Sequence, residues 1–136
     1  MNLTILVIIV ILILGIAMLA LITGARKKKG LTGQDHQLIQ QKWTGIMQTA
    51  EGESKHAIIE AHKLLDHVLK KKGFEGTVAE KLKQAQGMIK NPEALWSVHR
   101  MRNRIAHEID YNVQKDHAKK ALDHFKKALE DLGAQL

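Results

Sequence analysis

Residues 3–22 read LTILVIIVILILGIAMLALI, twenty residues without a charge. At ~1.5 Å rise per residue, a helix of this length matches the ~30 Å hydrocarbon core of a bilayer. Lipid offers the backbone no hydrogen-bond partners, so a segment this apolar and β-branched has to satisfy its own amides as a helix there. The rival, a cleaved secretory signal, requires a basic n-region, a shorter apolar stretch and a small-residue cleavage site with no positive charge directly after it. Here Met1 and Asn2 are uncharged, the stretch is longer, and Arg26, Lys27, Lys28 and Lys29 follow at once. The pattern predicts an uncleaved transmembrane anchor over residues 1–24 and a basic juxtamembrane linker over residues 25–34.

The same four cations predict the orientation. Lys and Arg beside a transmembrane end stay cytoplasmic, while the few uncharged N-terminal residues cross easily, which puts the N-terminus outside and the soluble part in the cytoplasm. They are also suited to attract anionic lipid. Of 21 Lys and Arg these four are set aside, and the remaining 17 face 14 Asp and Glu, so the excess charge of the chain is mainly a membrane signature rather than a nucleic-acid one. There is no cysteine, which excludes disulfides, thiolate metal sites and a Cys nucleophile. After the linker, residues 35–136 suffice for one domain with a single core.

Apolar residues in that part recur with helical spacing, and no stretch alternates like a strand. A helix is expected from Asp35 to about Ala50 with Ile39, Trp43, Ile46 and Ala50 inward. Another is expected over Ser54–Lys72 with Ile58, Ala61, Leu65 and Val68 inward, ending at Gly73. Residues 51–53 between them read equally as a loop or a kink. Thr77-Val-Ala-Glu80 is a capping-box pattern opening a third helix that would bury Val78, Leu82, Ala85 and Ile89. Asn91-Pro92 supplies an N-cap and a first-turn proline for a fourth, running to about Tyr111. A fifth, Gln114 to about Leu132, carries Ala118, Ala121, Phe125, Leu129 and Leu132 inward. Short connections favour antiparallel neighbours, so the fold class is all-α: an up-and-down four- to five-helix bundle behind the N-terminal transmembrane helix.

The fourth helix holds the unusual segment, Trp96-Ser-Val-His-Arg-Met-Arg-Asn-Arg-Ile-Ala-His-Glu-Ile-Asp-Tyr111. On a wheel of ~100° per residue, Leu95, Val98, Met101, Ile105 and Ile109 form a core stripe. Trp96, Arg100, Asn103, His107 and Tyr111 form a second, which offers an aromatic, a cation, an amide and an imidazole in line. The string Arg102-Asn103-Arg-Ile-Ala-His107, in its place on the penultimate helix, resembles the Arg, polar residue, then His motif of the HEPN superfamily, the higher eukaryotes and prokaryotes nucleotide-binding domains. The resemblance extends more loosely over residues 35–136.

That resemblance implies a small helical bundle that binds RNA or nucleotide, and, in active members, a metal-independent ribonuclease leaving a 2′,3′-cyclic phosphate. His107 would then be the general acid or base, Arg102 would stabilise charge on the phosphoryl oxygens, and Asn103 would orient phosphate or His107. Arg100, Arg104 and Trp96 are the candidate binding residues beside them. Two motifs commonly face each other across a dimer cleft, so the resemblance implies a homodimer, and no cofactor is expected. The chain departs from one toxin-type branch, whose Tyr two residues after the His is Ile109 here. Arg102 and His107 are also ~140° apart on an ideal helix, which leaves Arg102 at the margin of the core stripe.

Structural readings stand beside these. His107 could be a surface histidine near Asp110, and Arg102 could pack its stem on the core edge. Arg104 and Glu108 have the spacing of a surface ion pair, and Trp96 could pack between helices. His56 with Glu60, and His62 with Asp66, have i,i+4 spacing suited to a metal, but no third ligand converges in the sequence. Lys70, Lys71 and Lys72 oppose the dipole at a helix C-terminus. Ala20 and Gly24 form a small-xxx-small pair. The alternative function is a non-catalytic membrane-anchored helical interaction or scaffold module.

Overall fold

The computed structural model describes residues 2–21 in full, the helical backbone of 22–24, and residues 29–136. Arg26, Lys27 and Lys28, three of the four cations read as lipid-facing, lie outside the described residues. Six α-helices follow in order: α1 (Leu3–Gly24), α2 (Gly33–Ala50), α3 (Ser54–Lys71), α4 (Val78–Ala85), α5 (Pro92–His107) and α6 (Lys115–Asp131). There is no strand among the described residues.

Helix α1 is the apolar segment. Its stretch Leu3–Leu21 is long and apolar enough to cross a membrane, and none of it is buried against the rest of the protein. The other helices owe their ends to local chemistry. At α2, Thr32 and Asp35 form a reciprocal cap: the Thr32 amide donates to Asp35 Oδ2 at 2.8 Å and the Asp35 amide to Thr32 Oγ1 at 3.2 Å. The Thr32 amide, with the Thr32 hydroxyl also donating to Oδ2 at 2.9 Å, holds the Asp35 carboxyl below its usual range. The helix therefore starts at Gly33, two residues before the expected Asp35. Residues 51–53 are a turn, so α2 and α3 are separate helices. Thr77 and Glu80 make the expected capping box at α4, which ends at Ala85 and tightens into a 3-10 turn, Gln86–Met88. Asn91 Oδ1 accepts from the Ala94 amide at 3.1 Å, with Pro92 in the first turn of α5.

The core lies among α2, α3, α5 and α6, with α3 packed against each of the others. Ile39, Ile58, Leu65, Val68, Leu69, Phe125, Leu129 and Leu132 have no exposed surface. Directions follow from the ends that meet. Lys71 Nζ lies 3.4 Å from Asp35 Oδ1, joining the end of α3 to the start of α2. The Lys90 amide donates to Asp131 Oδ2 at 2.9 Å, joining the entry of α5 to the end of α6. The Cβ that a side chain at Gly133 would carry lies 3.9 Å from Leu31, which brings the end of α6 to the entry of α2. The four long helices thus alternate in direction, with α4 inserted in the connection from α3 to α5. Buried Lys81 of α4 is paired with Asp66 of α3, which also holds Lys70 at 2.9 Å.

One expectation fails at the end of α5. The helix stops at His107, not near Tyr111, because Glu108 is extended at φ −104° and ψ 119°. Ile109, assigned to the core stripe, is 95% exposed. Arg104 reaches forward instead, with Nε 2.9 Å from Glu108 Oε1 and its guanidinium 4.0 Å above the Tyr111 ring. Val113 is then the residue seated against the core before α6 begins.

Candidate functional site

Midway along the bundle, α3 and α5 face each other through two histidines. His62 stands on the apolar stripe of α3, one turn from Ile58 and three residues before Leu65, and is buried with its ring near-perpendicular to that of Phe125 at 6.3 Å. His99 stacks on it at 5.1 Å and 24°, and the contact closes as a 2.9 Å bond between His62 Nε2 and His99 Nδ1. Beyond His99, its Nε2 meets Asn103 Nδ2 at 3.3 Å, and Asn103 Oδ1 accepts from Arg102 Nη1 at 3.3 Å. The Trp96 ring stands near-perpendicular to that of His99 at 5.6 Å.

The proton positions in this chain can be assigned from its donors. Arg102 can only donate, so the oxygen of Asn103 faces it and the amide nitrogen faces His99. His99 Nε2 must then accept, which puts the proton of His99 on Nδ1 and directs it to His62 Nε2. The resulting order is Arg102 to Asn103 to His99 to His62, with both imidazoles neutral. Electrostatics agree with that assignment. Burial, then the neighbouring His99 and Arg102, push His62 down to about 4, and burial followed by Arg102 and Arg100 lowers His99.

A cleft of about 310 Å³ opens beside the chain, lined by His62, Lys63, Asp66, the first residues of α4, His99, Arg102 and Asn103. Arg102 is partly buried there. It has no carboxylate partner among the described residues, and its Nε is buried without an acceptor. A buried guanidinium is ordinarily paired, so the cleft carries an unbalanced cation.

The remaining motif residues sit elsewhere. His107 is exposed on the last turn of α5 and is not among the residues lining the cleft. Arg100 is exposed and lies 3.6 Å from Glu93. Arg104 is committed to Glu108 and Tyr111, which raises its pKa through the Glu108 hydrogen bonds. Trp96 is half-buried against His99 and the core rather than free at the surface. The structure therefore gathers Arg102 and Asn103 with His62 and His99, and leaves His107 apart on the exposed end. The sequence reading weighs His62 only as a metal ligand with Asp66, gives His99 no role, and misses the pairing of the two. The available signal was a histidine at a core position of α3 and another one turn before Asn103. For the metal pairs, Asp66 is taken up by Lys81 and Lys70 and His62 by His99, and no group of three metal-ligating side chains forms among the described residues.

Comparison with family models, with curated proteins and with solved structures finds no match to this chain.

Proposed function

We propose that this protein is a single-pass membrane protein, anchored by α1 with its N-terminus outside, whose HEPN-like cytoplasmic domain binds RNA or nucleotide through the α5 side of the bundle. The observation that carries the reading is Arg102: a partly buried guanidinium beside an open cleft, oriented by Asn103 and lacking a carboxylate. A phosphate supplies the missing anion and accepts from the planar fork. Lys63 on the rim is already paired with Glu60 at 2.7 Å, which leaves Arg102 as the cation that attracts the phosphate, and the neutral His99 and His62 hold Asn103 in place without competing for it. His107, exposed on the same helix, is free to exchange a proton with a ribose 2′-hydroxyl or a leaving 5′-oxygen of bound RNA. Confinement in the membrane plane raises the effective concentration of copies and favours the homodimer that the motif implies.

A second reading, a non-catalytic interaction or scaffold module, draws on Ile109, an isoleucine almost wholly exposed in the connection after α5. Full-length protein in nanodiscs, incubated with fluorescent mixed-sequence RNA in EDTA, separates the two. Binding read by anisotropy should weaken about tenfold or more in Arg102→Ala, the loss expected from one charge-assisted contact. Cleavage, read on a gel, should disappear in His107→Ala while binding persists. Binding without cleavage leaves a non-catalytic RNA-binding domain. Absence of binding by the unmodified chain, to RNA or to nucleotide, rejects the RNA reading and leaves the scaffold.

A further inference from the structure

We infer that the end of the bundle bearing Lys29, Lys70, Lys71 and Lys72 is a docking surface for anionic phospholipid headgroups, and that it seats the domain on the bilayer with the His107 end pointing away. The inference rests on the reading that α1 spans the membrane. It starts from the path of the chain. Helix α1 ends at Gly24, and Lys29 is already fixed to the bundle, its amide donating to the Lys72 carbonyl at 3.3 Å. Leu31 then packs against the core and Thr32 caps α2. Five peptide links from Gly24 to Lys29 reach at most about 18 Å when fully extended. The C-terminal end of α3 therefore cannot leave the neighbourhood of the membrane surface, whatever path residues 25–28 take.

The charge of that end matches an anionic surface. Lys70 and Lys71 are 63% and 49% exposed. Their carboxylate partners are shared or already engaged: Asp66 also neutralises buried Lys81, and Asp35 is held in the Thr32 cap. Lys29 and Lys72 make no ion pair among the described residues. Glu75 is exposed beside the end of α3, and the start of α5 and the end of α6, which share this end, add exposed Glu93 and Glu130 together with Lys90. The opposite end of the bundle, where α2 and α5 finish and α6 begins, has the reverse character. Exposed Glu51, Glu53, Glu108, Asp110 and Asp116 stand there with Lys55, Arg104 and Lys115. Cations within about 10 Å of an anionic leaflet are attracted, and carboxylates are repelled. The polarity thus favours the same pose that the tether imposes.

The absence of cysteine from the chain makes the pose measurable. Full-length Gln34→Cys, at the tethered end, and Asp110→Cys, at the far end, are labelled with a fluorophore. Each is reconstituted into phosphatidylcholine vesicles with or without one third phosphatidylglycerol, both carrying a headgroup spin-label quencher. Quenching at position 34 should increase at least twofold when phosphatidylglycerol is present and fall back in 0.5 M salt, while position 110 stays unquenched throughout. Lys29→Gln with Lys72→Gln, which breaks no ion pair, should remove much of the increase. Adding Lys70→Gln and Lys71→Gln should remove the rest, with circular dichroism reporting on the fold. Quenching at position 34 that ignores lipid charge, salt and these substitutions, or equal quenching at both positions, overturns the inference. Alkaline carbonate extraction of the same vesicles separates the failures. Protein that stays in the membrane without charge-dependent quenching refutes docking alone, whereas protein that washes off refutes the anchor and docking together.

Discussion

Burial holds the His62 imidazole down to about 4, so between that value and its ordinary ~6.5 the unfolded chain binds a proton that the folded chain does not. The sign follows directly: the unfolded state carries more protons in this window, so stability falls as the pH drops from about 6.5 to 4 and is unaffected by His62 above it. The group accounts for at most about 3 kcal/mol, since each unit of pKa difference corresponds to ~1.4 kcal/mol. Urea unfolding at pH 7 and pH 4.5 should show the loss. His62→Gln, which keeps an acceptor for His99 and does not titrate, should flatten it, and an unchanged slope would refute the neutral pair. At this scale the site was only half legible. Arg102, Asn103 and His107 stand out as a local string, but what Arg102 faces is set by His99 and by His62, 37 residues earlier on another helix. Spacing along one helix says which residues share a face and nothing about what that face meets.

Helix boundaries were legible at two of the side-chain caps, while the Thr32 and Asp35 cap of α2 was not foreseen and moved that start to Gly33. Thr77 with Glu80 and Asn91 with Pro92 are local patterns with local energies, and both hold. Gly76 belongs to the first of these. It has φ +102°, and a Cβ there would run into the Glu80 carboxylate that completes the box. Gly76→Ala should therefore destabilise the protein by about 1–3 kcal/mol in urea melts, combining backbone strain with loss of the cap. An effect within a few tenths would mean that the box contributes little. The end of α5 was not legible, because the periodicity of Met101, Ile105 and Ile109 continues through it. The chain leaves the helix where Arg104 can close on Glu108 and Tyr111 and where Val113 can reach the core. That choice depends on where α6 has to begin.

For the whole molecule, α1 and the bundle treat apolar surface in opposite ways, the bundle burying it and α1 leaving it exposed. None of the stretch Leu3–Leu21 is buried within the protein, so its apolar surface is left to be covered by something else, and at ~25 cal/mol per Å² the cost of leaving it in water is large. The expected outcome is that full-length protein expressed in cells stays in the membrane pellet through alkaline carbonate extraction. Recovery of a shortened, soluble chain that begins after residue 22 would identify α1 as a cleaved signal instead. The apolar N-terminal helix, the alternation of directions and most of the core were determined by the sequence itself, whereas the separation of α2 from α3 at residues 51–53 was settled by the structure. Periodicity, caps and short connections act within a few residues, so they can be read in order. The facing of His62 and His99, the unpaired Arg102, the early end of α5 and the gathering of Lys29 with Lys72 were decided only by the tertiary structure. Each arises from side chains or chain ends far apart in sequence that meet because the core packs one way, and no local pattern carries that information.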